Sequence, residues 1–327
     1  MCNLVKLQPL TLVLLFALSS CTATSHNLSK KIAPGTPNLS QEDVLKHVSQ
    51  PGTIKIQRLT VADWKLKRKG LINLKHPRSK EAKLKNTYED VHLYIYILEH
   101  PTQGTFFIDS GVASNLTDPD ADDYPVKSPV VRKALNFKEF KPLRTTADVI
   151  QEHGAPNGVF LTHIHIDHIM GVPDLPKNTP LFIGPHETSH REAKHLGTRG
   201  TLNRFLDGAQ PFQTLPFPEH EEGQPFSAVD LFGDQQVFAI HTPGHTPGSL
   251  AFLIRTENGP ILLTGDTSHT AWGWDNCVAP GLFNSDIDET QKDLEMLKAI
   301  EEKLPNLTVW TGHQSLSTPR SNTNRCN

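Results

Sequence analysis

The chain has 327 residues, enough for one large α/β domain or two ordinary ones. Hydrophobic residues make up 37% and charged residues 20%, so a sizeable core is within reach and global disorder is excluded. The 32 basic and 35 acidic side chains leave a net charge of −3, which excludes a strongly basic nucleic-acid binder, and no stretch reaches the roughly 20 apolar residues of a membrane span. Four cysteines are too few for a disulfide scaffold of this length, whereas 17 histidines invite a search for metal sites.

Residues 1–20 read as a secretory signal. Lys6 is the only charge ahead of the apolar run Leu10–Leu18, which is too short to span a membrane but suits the core of a signal peptide. The run ends in Leu18-Ser19-Ser20-Cys21, which resembles the bacterial lipobox, whose cysteine is acylated and becomes the new N-terminus. The expectation is an exported protein, lipid-anchored to the bacterial membrane through Cys21 on its periplasmic or outer-membrane side. Thr22 follows where an aspartate would signal retention at the inner membrane. Loss of Lys6 takes the net charge from −3 to −4. Residues 21–50 are rich in Ser, Thr, Asn, Pro and Lys and read as a tether, with a short helix over Asp43–Val48. Cys277 and Cys326 are the last two thiols, and an oxidising compartment leaves them either paired or free.

The body then runs over residues 51–315, with a tail at 316–327. Ile54–Leu59 alternates and reads as a strand. Val91–Leu98 is a second, and Thr105–Ile108 closes a hairpin after the turn Pro101-Thr102-Gln103-Gly104. Between the first two lies Lys65–Lys85, with nine basic residues and one acid. It reads as a solvated insertion loop, or as a basic rim over a pocket or against anionic lipid. Asp118–Asp123 is an acidic loop, Ala147–His153 a helix and Gly158–Leu161 a buried strand. Leu181–Gly184, Gln236–Ile240, Leu250–Ile254 and Ile261–Leu263 are further short strands. Leu294, Leu297, Ile300 and Leu304 recur at helical spacing, with Ser285, Asp286 and Asp288 at the start and Pro305 as the stop. Leu307–Trp310 is a closing strand.

Chemistry concentrates where these strands end. Gly158–Leu161 runs into Thr162-His163-Ile164-His165-Ile166-Asp167-His168. In extended backbone His163 and His165 project to one side, and Asp167 and His168 fall where the chain turns into a helix. Packing such a cluster at the end of a buried strand leaves polar groups unsatisfied unless something binds them. His245 in Thr242-Pro243-Gly244-His245, Asp266 after Ile261–Gly265 and His313 after Val309–Gly312 end apolar segments in the same way. Each has small residues beside it that let backbone approach a ligand. Five imidazoles and two carboxylates are enough for two metal ions with a shared carboxylate and room for water.

These motifs, in this order, resemble the metallo-β-lactamase-fold hydrolase superfamily over about residues 54–315. Phe107-Ile108-Asp109-Ser110-Gly111 resembles the family's early Asp-x-Gly turn. The resemblance implies an α/β fold, an αββα four-layer sandwich with the metal site at one edge of the two sheets. It implies His163, His165 and His245 as ligands of one metal, Asp167, His168 and His313 as ligands of a second, and Asp266 as the bridge. Asp109 is expected to be a buried partner of the site, and His241 a partly buried loop residue. His153, His186, His190 and His195 are expected at the surface.

The cofactors implied are two divalent metal ions, zinc foremost; iron and manganese tolerate the same donors. A water bridging them would ionise near neutral pH and supply hydroxide without a strong side-chain base. Asp167 would bind metal and orient that hydroxide. Asp266 with His168 resembles the lactonase, glyoxalase II and phosphodiesterase branches. The leading expectation is hydrolysis of a small-molecule lactone or carboxylic ester, with acyl-homoserine lactones one candidate. A thioesterase or phosphodiesterase is the alternative, and a β-lactamase or a non-catalytic metal-binding lipoprotein ranks behind. His269 follows Asp266 by three residues, where the lactonase branch carries a substrate-binding tyrosine. It is expected to be a catalytic acid and not a metal ligand. No motif speaks to oligomeric state.

Overall fold

A strand buried on both faces reads as a continuous apolar run, and Val91–Leu98 is such a run at the centre of the fold. The computed structural model describes residues 21–37, 39–218, 226–316 and Cys326; the signal segment 1–20 lies outside the described residues. Strands are numbered in chain order. The first nine are β1 (Cys21–Thr22), β2 (Lys55–Lys67), β3 (Tyr88–His100), β4 (Gly104–Ile108), β5 (Lys141–Pro142), β6 (Val159–Phe160), β7 (Leu181–Ile183), β8 (Arg191–Glu192) and β9 (Gln213–Thr214). The remainder are β10 (Ala228–Asp230), β11 (Val237–His241), β12 (Leu250–Thr256), β13 (Gly259–Leu263) and β14 (Thr308–Trp310). One sheet has the order β5-β2-β3-β4-β6-β7-β9 and the other β10-β11-β12-β13-β14.

Alternation sorts each central strand between layers. Tyr94, Tyr96 and Leu98 of β3 meet Phe252 and Ile254 of β12 in the core between the sheets. Leu93, Ile95 and Ile97 point outward, into a core shared with Val149 of the helix Thr146–His153 and with Leu202 and Phe205 of the helix His195–Phe205. Ala251 and Leu253 of β12 point the other way, onto Leu294, Leu297 and Ile300 of the helix Ile287–Lys303. Helix, sheet, sheet and helix are therefore stacked as four layers, the αββα arrangement. The Thr146 helix starts on a capping box between Thr145 and Asp148, and the Ile287 helix on Asp286, whose side chain accepts from Glu289 N–H.

Two segments differ from the sequence reading. Residues 21–50 do not hang free. The helix Gln41–Val48 buries Val44 and Val48 in the outer core of the five-stranded sheet, and β1 pairs antiparallel with β8. A composition rich in polar residues hid the few apolar ones that dock it. Nor is Lys65–Lys85 a plain loop. β2 continues to Lys67, opposite Tyr88, after a bulge at Val61, and short helices follow at Arg68–Leu71 and Pro77–Glu81. Cys277 and Cys326 form a disulfide, so the chain end returns to the body.

Candidate metal centre

Parallel neighbours in a sheet bring their carboxyl ends to one edge. β4, β6 and β7 run parallel in one sheet, and β13 and β14 in the other. Asp109 follows β4, His163 follows β6, Asp266 follows β13 and His313 follows β14. The β11–β12 loop adds His245. All seven ligands expected from the sequence meet at this edge. The donor atoms of His163, His165 and His245 lie within 4.8 Å of one another, as do those of Asp167, His168, Asp266 and His313.

Asp266 is the hub. Its Oδ2 lies 3.7 Å from His163 Nε2, 3.3 Å from His168 Nε2, 3.5 Å from His245 Nε2 and 3.3 Å from His313 Nε2. Gly312 is required beside it, because a Cβ there would collide with Asp266 Oδ1. Gly244 is required in the His245 loop, because a Cβ would strike the backbone of Thr290.

Three of the rings have an acceptor for the outer nitrogen, which favours one tautomer. His245 Nδ1–H donates to Asn284 Oδ1 at 2.6 Å, His168 Nδ1–H to Asp109 Oδ2 at 2.8 Å and His313 Nδ1–H to the His92 carbonyl at 3.0 Å. In the neutral form of each ring the lone pair is then on Nε2, the nitrogen turned into the donor cluster around Asp266. Asp109 also accepts from Thr162 N–H at 2.8 Å and from its hydroxyl, so it is the buried partner of the site that the sequence indicated. Its φ of 59° is left-handed, a conformation open to Asp and Asn.

The arrangement calls for cations. His163 Nε2, His168 Nε2 and Asp266 Oδ1 are buried and find no hydrogen-bond partner among the described residues. Burial holds His163 and His165 well below the ordinary imidazole pKa and His245 down at about 3, so these three are neutral donors at pH 7. Burial pulls His168 and His313 down too, but carboxylates outweigh it. Asp109, Asp266 and Asp167 hold His168 well above its ordinary value; Asp266 and Asp167 lift His313 to about 9. Buried carboxylates thus keep positive charge beside them. Divalent ions would supply that charge and release the protons. Imidazole with carboxylate is the donor set of zinc, iron and manganese.

His269 comes into the same cluster, with Nε2 2.9 Å from Asp266 Oδ2. It groups with His245 and Asp266, within 4.8 Å, as a third set of donors. The site floors a cavity of about 290 Å³ walled by Trp64, Leu66, Leu71, Leu202, Leu282 and Phe283. His241 stands half-buried at the end of β11, with Nε2 2.8 Å from the Pro247 carbonyl and away from the donors.

The sequence reading missed several supports. His195, expected at the surface, is buried and lines the cavity, because the helix it starts packs against the seven-stranded sheet. Glu187 is a buried carboxylate that ties the two ligand loops together. It accepts from Ile164 N–H at 2.8 Å, Thr246 Oγ1 at 2.7 Å and Gly248 N–H at 2.8 Å. Its one signal is its place just after the end of β7. Asn284 and Asp293, which accepts from Gly244 N–H at 2.9 Å, carried no signal.

Fold and site together define a metal-binding αββα sandwich. Residues 152–313 match the model of the Metallo-beta-lactamase superfamily, and the chain carries a domain of that family. It is 30% identical over 169 residues to the N-acyl homoserine lactonase AttM of Agrobacterium fabrum, covering 47% of this chain and 57% of that one. It is 49% identical over 75 residues to an N-acyl homoserine lactonase of a Bacillus species, 23% of this chain and 29% of the relative. The chain thus aligns with little more than half the length of the first of these relatives and under a third of the second. A solved structure of AiiA from B. thuringiensis, with N-decanoyl-L-homoserine bound at its active site, superposes with a TM-score of 0.57. It has 19% identity and covers 80% of this chain and 94% of that one, a likeness of fold.

Proposed function

We propose that this chain is a metal-dependent hydrolase that opens lactones or carboxylic esters, acyl-homoserine lactones among them. The observation that carries this reading is the convergence of seven metal-donor side chains, five of which (His165, Asp167, His245, Asp266 and His313) floor an apolar cavity. His163, His165 and His245 would hold one divalent ion, and Asp167, His168 and His313 a second, with Asp266 shared. Ions there supply Lewis acidity toward a carbonyl oxygen and a nucleophilic water at neutral pH.

The chain's own residues do the rest. Asp167 is half-buried at the cavity floor, with Oδ2 3.4 Å from His313 Nε2, where a carboxylate can accept a hydrogen bond from the attacking water. His269 lines the cavity with Nε2 2.9 Å from Asp266 Oδ2, so an N–H there rests on that carboxylate until a substrate oxygen competes for it. As the ring C–O bond breaks, that N–H donates to the departing oxygen. The apolar walls exclude water and receive an acyl chain. The lactonase names of the relatives support the same substrate class.

The address belongs to the proposal: an exported chain lipid-anchored through Cys21. The Cys277–Cys326 disulfide supports an oxidising compartment. A hydrolysis panel tests the reaction, using acyl-homoserine lactones, aryl esters, thioesters, phosphodiesters and β-lactams on one preparation whose metal is counted. Lactones and esters should turn over fastest, and chelator should abolish this. Preference for a thioester or phosphodiester would reassign the substrate.

A further inference from the structure

We propose that the mouth of the metal cavity docks on an anionic lipid bilayer, so that an acyl substrate passes from membrane to cavity without crossing water. Three features meet at this mouth. The first is Cys21. Its carbonyl accepts from His195 Nδ1–H at 2.8 Å, and His195 lines the cavity. Ala23, two residues on, is buried and lines the cavity as well. Thr24 Oγ1 donates to Asn203 Oδ1 at 2.6 Å, which fastens the segment to the helix whose Thr198 and Leu202 form the same wall. No slack chain separates Cys21 from the rim.

The second feature is apolar. Leu282 lines the cavity yet is 59% exposed, and Leu196, beside His195, is 58% exposed. A large exposed side chain such as Leu282 at a rim suits a lipid surface better than water. The third is charge. Leu282 N–H donates to the Lys69 carbonyl at 2.9 Å, so the leucine is bound to the start of the basic segment 65–85. Arg68 pairs with Glu89 and Lys65 with Asp90, but the exposed Lys69, Lys75, Lys80 and Lys83 pair with no carboxylate among the described residues. Lysines act on an anionic surface only within a Debye length, about 8 Å at physiological salt. A diacylglyceryl group on Cys21 would hold the rim inside that distance. The anchor part rests on the lipid address proposed above; the docking part rests on the described surface alone.

The test uses the exported full chain, purified in detergent and placed on vesicles of phosphatidylethanolamine with phosphatidylglycerol, or of phosphatidylcholine alone. An environment-sensitive dye is attached at Leu282→Cys or, at the far end of the sheets between β12 and β13, at Asn258→Cys. The mass of the mature chain reads acylation of Cys21 independently. On phosphatidylglycerol vesicles the dye at 282 should shift to the blue and the dye at 258 should not. Lys69→Gln with Lys80→Gln should lower hydrolysis of a membrane-dissolved long-chain lactone at least fivefold, about the effect of one lysine at such a surface, and leave a soluble short-chain ester unchanged. Equal, water-like emission at both positions would overturn the docking, as would equal losses on both substrates. If no ester is hydrolysed, the dye still reads the docking, and only the proposed reaction fails.

Discussion

Asp109→Asn is the most informative single substitution, because it keeps size and backbone and replaces one carboxylate oxygen by an uncharged NH₂. Asparagine tolerates the left-handed φ of 59° as well as aspartate does. Wild-type Asp109 accepts from Thr162 N–H on one oxygen and from His168 Nδ1–H on the other. An amide has one acceptor, so in either orientation its NH₂ faces a donor. The least costly relief is for His168 to move its proton to Nε2, which removes the lone pair from the metal side. Substitutions at such supporting partners cost about 10- to 100-fold in metal affinity, or about 1.4–2.8 kcal/mol. The loss should be confined to the ion held by Asp167, His168 and His313. Dialysis against graded chelator, followed by metal analysis, should find one ion released early and the other retained as in wild type. Circular dichroism would check the fold. Unchanged affinity for both ions would refute the orienting role of Asp109.

Burial raises Asp293 to about 7, against its hydrogen bond from Gly244 N–H, so it folds protonated at pH 5. A raised carboxylate contributes stability below its unfolded pKa that is lost as pH rises through the folded one. Wild type should therefore lose on the order of 2 kcal/mol between pH 5 and pH 8, a loss absent from Asp293→Asn in denaturant melts at the two pH values. His269→Phe should keep its metal while turnover falls about 10²-fold, with alkyl lactones hit harder than aryl esters; loss of metal would make His269 a ligand. Asp266→Ala should release both ions on metal analysis, whereas His241→Ala should keep them. Cys21→Ser should move the protein out of the membrane fraction, and an unchanged fractionation would remove the lipid anchor.

The cluster of candidate donors was legible because its core is local. His163, His165, Asp167 and His168 fall within six residues at the end of one apolar strand, and His245, Asp266 and His313 end others. The strands were legible because β-branched runs bounded by turns have few other folds to join. What escaped depends on distant partners. Glu187 looks like any loop glutamate until Ile164, Thr246 and Gly248 fold around it. His195 is buried only because its helix packs on the seven-stranded sheet, and the segment 21–50 docks through Val44 and Val48 amid polar neighbours. Composition reports the average of such a segment, and docking depends on two side chains.

If two ions held by these residues open a lactone, stepwise return of metal must restore the activity in two equivalents. The chain is stripped with chelator, and zinc, iron or manganese is added back in measured equivalents while opening of an acyl-homoserine lactone is followed. The rate should climb through the second equivalent and level off at two ions per chain. A full rate with no metal restored, or a plateau at one ion, would contradict it.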